Sequence, residues 1–258
     1  MNIIHTIILA AIEGITEFLP VSSTGHLILA SKILQIPESD FVKSFEIFIQ
    51  LGAIMAVVSL YMKRLMKEPA LLRPTIIAFI PTGIFGVLFY KLIKTYLLGN
   101  DIVVVAALIV VGAILIALER YWATHPAGPL KTILTLDTKA LLTIGLFQSL
   151  SMVPGVSRSA STIVGGMLSG LKRKDAVEFS FFLAVPTMAA ATGLDLLKSA
   201  HSFTPPEIGT LMIGFVISWI TALFVIKVFI RYVAHATFIN FGIYRILAGL
   251  FYWVIMIL

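Results

Sequence analysis

Two long apolar stretches of this chain, about residues 3–34 and 139–170, are each broken near the middle, the first at Pro20 and the second at Pro154-Gly155. Each break runs into a hydroxyl-rich patch and then into more apolar sequence. After the first come Ser22, Ser23, Thr24, Gly25 and His26, then Leu27-Ile28-Leu29; after the second come Ser157, Arg158 and Ser159, with Ser161 and Thr162 close behind. Proline denies a helix one backbone donor, and serine or threonine can cap the helix that restarts. In hydrocarbon an unsatisfied N–H or C=O costs several kcal/mol, so irregular backbone at membrane depth survives only where it is buried in protein or lines a cavity. The pattern predicts two re-entrant helix–loop–helix hairpins, each entering and leaving on one side.

The rest of the chain makes the surroundings a membrane. It is 59% hydrophobic and 12% charged with a mean hydropathy of +1.02, against about 25% charged for a soluble domain. Six further apolar runs, about 44–62, 74–90, 102–118, 179–198, 208–226 and 239–257, are long enough to cross a hydrocarbon core of about 30 Å as helices. The expected fold is all-α: a polytopic membrane protein with six transmembrane helices plus the two hairpins, forming one integral membrane domain over 1–258. The absence of cysteine excludes disulfides, thiolate catalysis and cysteine-ligated metal. The net charge of +6 comes from short basic clusters between apolar runs, a topogenic pattern that calls for no nucleic-acid partner. The apolar start, Ile3 to Leu19, lacks a basic leader and a small-residue cleavage site and contains Glu13 and Glu17, so it reads as mature protein.

A shift of 134 residues lays Pro20 on Pro154, Ser23 on Ser157, Phe45 on Phe179, Phe48 on Phe182 and Leu60 on Leu194. The shared order, a broken hairpin followed by three spans, predicts a repeat over about 1–121 and 138–258. Three crossings per unit is an odd number, so the second unit is inverted. Inverted repeats commonly place a site at the interface between units, using half-helix ends. With the amino terminus outside, the cytoplasmic loops hold Lys63, Arg64, Lys67, Arg73, Arg120, Lys131, Lys139, Lys172, Arg173, Lys174, Lys227 and Arg231. The outer loops and their flanks hold Lys32, Lys43, Lys91, Lys94 and Lys198, fewer than half as many. That bias fits the positive-inside rule.

The breaks concentrate chemistry. Glu13 and Glu17 are one helical turn apart on one face. Two carboxylates that close repel, and a divalent cation or a nearby arginine resolves the conflict. Hard oxygen ligands suit Mg²⁺ or Ca²⁺, and Mg²⁺ often takes one or two carboxylates plus phosphate oxygens. Ser22, Ser23, Thr24 and the amides at a half-helix start form a candidate anion site, with Gly25 allowing close approach. Arg158 offers a fork of donors matched to phosphate, with Ser157, Ser159, Ser161 and Thr162 around it. Weaker candidates are Glu46, Gln50, Glu178, and Asp195 with Arg245, the last two as a structural ion pair.

The stretches EGITEFLPVSSTGH (Glu13–His26) and PGVSRSAST (Pro154–Thr162), with SFEIFIQLG and EFSFFLAVP, resemble the undecaprenyl-diphosphate phosphatase family, also known for bacitracin resistance. The resemblance spans essentially the whole chain. It implies a bacterial plasma-membrane enzyme that hydrolyses a C55 isoprenyl diphosphate to the monophosphate and inorganic phosphate with a divalent cation, recycling the lipid carrier of cell-wall precursors. It also implies an interdigitated inverted repeat opening toward the outer face. On this reading Glu13 and Glu17 hold the metal, and Arg158 holds the terminal phosphate. Ser23 is the favoured nucleophile with His26 as acid/base; His26 itself or water stay open as attacking groups. The expected partners are the lipid substrate and the bilayer, with a homodimer left open. A carrier that flips an isoprenyl phosphate lipid is the competing function, because inverted repeats with broken helices also build transporters.

Overall fold

The computed structural model describes residues 1–92, 97, 100–125, 130–199 and 203–257. Lys94 and the side chains of Lys91, Asp195 and Lys198 lie outside that description. Among the described residues there are ten α-helices, and the sole bridge-like pairing is between Lys131 and Leu171. In chain order the helices are α1 (Ile3–Thr16), α2 (Ser23–Ile33), α3 (Asp40–Lys67), α4 (Leu72–Leu92), α5 (Asp101–Thr124), α6 (Thr138–Ser149), α7 (Arg158–Leu168), α8 (Arg173–Ser199), α9 (Pro205–Val233) and α10 (Ile239–Ile257).

All six expected spans are helices long and apolar enough to cross a membrane. Most outrun the apolar stretch that betrayed them, because capping chemistry extends their ends. In α3 the Ser39 hydroxyl accepts from the Val42 amide, Asp40 sits in the first turn, and Arg64 and Lys67 sit in the last. Each charge thus stands at the helix end whose dipole it complements.

The two broken stretches form helix–turn–helix units, α1–α2 and α6–α7. Under the sequence shift α1 corresponds to α6 and α4 to α9, and the packing follows that correspondence crosswise. Helix α1 lies on α9, α6 lies on α4, and the pairs α5–α10 and α3–α8 close on themselves. Glycine makes both crosswise contacts close. A Cβ on Gly14 would sit 2.6 Å from the Ser218 carbonyl oxygen, and one on Gly145 would sit 2.2 Å from that of Ala78.

Polar clamps mark two levels. At one, the Tyr252 hydroxyl donates to Asp101 Oδ1 at 2.6 Å and Lys32 pairs with the same carboxylate, tying the ends of α2 and α10 to the start of α5. At the other, buried Glu119 near the end of α5 accepts from Arg173 at 2.7 Å and from the Phe238 amide at 3.0 Å, just before α10. The Lys131 amide donates to the Gly170 carbonyl at 2.9 Å, beside the end of α7. Helices α5 and α10 run antiparallel through close approaches at Gly112–Gly242 and at Gly249 over Leu108 and Ile109. The far end of α2 thus lies at one end of this pair, and the chain just after α7 lies at the other.

Gly14→Ala should lower the stability of the detergent-solubilised protein by about 1–3 kcal/mol, the usual cost of overpacking. A thermal melt reads this as a lower midpoint; an unchanged midpoint would contradict the α1–α9 contact.

Candidate active site

Both half-helices begin on a serine in the left-handed region. Ser22 has φ 73° and caps α2, accepting from the Gly25 amide at 3.4 Å; Ser157 has φ 80° and caps α7, accepting from the Ala160 amide at 3.2 Å. Such backbone in a non-glycine residue costs on the order of 1–3 kcal/mol and persists only where the surroundings impose it. The shared geometry also refines the internal correspondence. The caps are 135 residues apart, so Ser22, not Ser23, matches Ser157 at the helix start. That leaves Ser23 in the first turn of α2 with Arg158 as its counterpart in α7.

Those two first-turn residues meet at one carboxylate. The Ser23 hydroxyl donates to Glu17 Oε2 at 2.5 Å, and Arg158 Nη2 donates to Glu17 Oε1 at 2.9 Å. All three side chains are nearly shut off from the surface. Arg158 is fixed further by Nη1 donating to the Ser180 carbonyl at 2.8 Å and to its hydroxyl at 3.2 Å, and by Phe18, whose ring centre lies 5.7 Å from the guanidinium carbon. Its Nε proton is buried and has no acceptor among the described residues. One donor of the fork is therefore uncommitted.

A turn back along α1, Glu13 is fully buried, and neither of its carboxylate oxygens has a hydrogen-bond partner among the described residues. A bare carboxylate in such a place is expensive, and a hard cation would satisfy it. Among the described residues no three metal-binding side chains cluster. A cation held by Glu13 and Glu17 would thus complete its shell from phosphate oxygens and water, as Mg²⁺ commonly does. The residues fit a divalent ion on those terms.

The remaining expected site residues divide. Ser159 donates to the Leu19 carbonyl at 2.6 Å, a second link between the hairpins, and lies 3.0 Å from Ser157 Oγ. Thr162 donates to Ser180 Oγ at 2.6 Å, and Ser161 donates to the Ser157 carbonyl at 3.0 Å. These hydroxyls hold the hairpins together and brace Arg158. Thr24 is half-buried in the first turn of α2. The open side of Gly25 faces Val104 and Leu108 of α5, so its small size serves helix packing. His26 turns away from Ser23: Nδ1 lies 2.7 Å from the Ser22 carbonyl, Nε2 lies 2.7 Å from the Tyr244 hydroxyl, and its ring stacks on that of Tyr244. The partner of the Ser23 hydroxyl is Glu17.

The weaker candidates stand apart from this cluster. Glu46 accepts from Ser31 at 3.2 Å, and Glu178 pairs with Arg64 at 2.6 Å. Gln50 makes no side-chain hydrogen bond among the described residues. Arg245, expected in an ion pair with Asp195, gives donors to three backbone carbonyls, those of Pro20, Ala107 and Gly155. The Asp195 side chain is outside the described residues.

The family model for bacitracin resistance protein BacA matches residues 6–251. The chain belongs to the BacA family. Among curated relatives, the undecaprenyl-diphosphatase of Aquifex aeolicus (strain VF5) is 54% identical over 248 residues, covering 96% of each chain. That of Sulfurihydrogenibium sp. (strain YO3AOP1) is 47% identical, covering 98% of this chain and 99% of its own. That of Wolinella succinogenes is 46% identical, covering 98% and 97%. The match takes in both breaks and every residue of the cluster. Ser180 and Met188, whose sulfur lies 3.8 Å from Arg158 Nη2, escape a sequence reading because each sits in an apolar helix with no motif around it.

Glu17→Gln removes the charge that balances Arg158 in a dry site. Breaking a buried pair from one side costs about 3–5 kcal/mol. Chemical denaturation in detergent should show that loss, and a variant as stable as the parent would mean the pair is solvated.

Proposed function

We propose that the chain is an undecaprenyl-diphosphatase, a membrane hydrolase that converts undecaprenyl diphosphate to undecaprenyl phosphate and inorganic phosphate, recycling the lipid carrier for cell-wall synthesis. One observation carries the mechanism: a single carboxylate, Glu17, holds a serine hydroxyl on one oxygen and an arginine on the other. That is the geometry of an activated nucleophile beside a phosphate-binding cation.

The isoprenyl tail stays in the bilayer and the diphosphate reaches the two half-helix starts. Arg158, through its uncommitted Nε and its shared Nη2, binds the terminal phosphate together with first-turn amides of α2 and α7. Thr24 lines the same turn. Ser23 Oγ attacks the terminal phosphorus, Glu17 takes the hydroxyl proton, and the P–O bond to the bridging oxygen breaks, releasing the lipid monophosphate. Glu17 passes that proton to the departing monophosphate. Water then attacks the phosphoserine, and Glu17 takes a proton from the water and returns it to Ser23 Oγ as the P–Oγ bond breaks. Inorganic phosphate leaves with Ser23 and the Glu17 carboxylate restored. A divalent cation held by Glu13 and Glu17 would offset charge on the diphosphate. His26 is assigned to holding α2 through Tyr244 rather than to proton transfer from Ser23.

The finer architecture belongs to the same reading. The hairpins are re-entrant and the two halves form an inverted repeat, supported by the crosswise packing, the paired left-handed serines and the placement of the far ends of the hairpins at opposite ends of the α5–α10 pair. The protein lies in the bacterial plasma membrane with its site open to the outer face, supported by the basic bias of the loops. A flippase built on the same pocket is the less favoured function, since moving a phosphate lipid calls for no serine braced by a carboxylate.

Purified protein in detergent should release inorganic phosphate from an isoprenyl diphosphate, and a chelator should suppress it. Transfer across proteoliposomes with no bond cleavage would replace the hydrolase with the carrier. Ser23→Ala should lower kcat by at least about a thousandfold, whereas His26→Ala should keep far more turnover; the reverse order would move the nucleophile to His26. Arg158→Lys should lose about a hundredfold, because a point charge cannot reproduce a fork.

A further inference from the structure

The proposed mechanism leaves unused the most deeply buried cation among the described residues. Arg245, in the middle of α10, has no exposed surface and forms no ion pair among the described residues. Its Nη1 donates to the Pro20 carbonyl at 3.1 Å, and its Nη2 donates to those of Gly155 at 2.6 Å and Ala107 at 3.3 Å. Pro20 is the break of the first hairpin and Gly155 that of the second. Each lies three residues before a first-turn side chain of the site, Pro20 before Ser23 and Gly155 before Arg158. One guanidinium therefore grips the backbone on both sides of the cluster at equivalent points, and Ala107 fixes it to α5.

We propose that Arg245 is a positioning residue that sets the register of the two half-helix starts, and so the alignment of Ser23 with Arg158. Carbonyls released by the breaks would otherwise be orphaned in an apolar interior. A planar fork satisfies acceptors in divergent directions, which a compact ammonium cannot do. The close approach of Gly112 to Gly242, where a Cβ on Gly112 would meet the Gly242 carbonyl oxygen at 2.7 Å and Arg245 Cβ at 3.1 Å, brings α10 near enough for the reach. The left-handed backbone at Ser22 and Ser157 lies just beyond each gripped carbonyl, where an imposed geometry is required.

The inference rests on the phosphatase reading for its kinetic arm, and a spectroscopic arm stands without it. The chain has no cysteine, so Ile33→Cys and Leu168→Cys, exposed positions at the far ends of α2 and α7, can carry a spin-label pair. In pulsed dipolar spectroscopy, Arg245→Gln and Arg245→Lys should broaden or shift the single narrow distance distribution of the parent. In phosphate-release assays corrected for folded fraction, kcat should fall at least a hundredfold in Arg245→Gln with KM changed less than about threefold, and Arg245→Lys should recover only part of it. Tyr252→Phe, which loosens the clamp on the same helices without touching either break, should lower the melting midpoint and leave kcat per folded molecule unchanged. A parental distance distribution in both Arg245 variants, or kcat within threefold of the parent, would overturn the proposal. So would failure of both variants to fold, which would assign Arg245 to folding alone. A parent without phosphate release but with register loss in the variants would overturn the phosphatase reading and spare the positioning role.

Discussion

The ion pair between Glu17 and Arg158 joins residues 141 positions apart and is the constraint around which the rest of the molecule is arranged. A buried carboxylate and a buried guanidinium are tolerable only together. To bring them together, the breaks of the two hairpins must meet beside α5 and α10, where Arg245 reaches the carbonyls of both. The crosswise packing of α1 on α9 and α6 on α4, the clamps at the two ends of α5 and α10, and the hydrogen bond from Ser159 to the Leu19 carbonyl all serve that meeting.

The pair is also a resting state. While Glu17 is shared between a hydroxyl and a cation, the dry centre holds its charges close to balance. A diphosphate brings several negative charges and competes for the guanidinium. In the proposed mechanism that competition loosens one oxygen of Glu17 as the other prepares to take a proton, so binding and activation are linked through one side chain. Glu13, with no hydrogen-bond partner among the described residues, is where added positive charge is most needed.

Much of this was legible in the residues. Six apolar runs became six long helices, and the two broken stretches became helix–turn–helix units whose polar residues face each other. What periodicity could not supply was direction. Three residues separate Ser23 from His26, which permits contact on a regular helix, yet the left-handed Ser22 places the Ser23 hydroxyl against α1 while His26 swings toward α10. A serine inside an apolar helix, such as Ser180, carries no signal of the guanidinium it braces. Arg245 suggested an ion pair because arginine in hydrocarbon usually finds an acid, and nothing among its apolar neighbours in the chain shows the three carbonyls it also meets. The internal correspondence likewise slips from 134 to 135 at the half-helix caps, a one-residue difference that only the backbone angles reveal.

The crosswise packing has a consequence for biosynthesis. During translation, α1 enters the bilayer with two acids long before its partners exist, since α9 begins at Pro205 and the arginine that neutralises Glu17 is at position 158. The first helix of each broken stretch packs on a helix of the other half, α1 on α9 and α6 on α4. The nascent amino-terminal portion must stay loosely held, or shielded by the insertion machinery, until nearly the whole sequence has been made, and assembly is then a late, concerted closure rather than a helix-by-helix accretion.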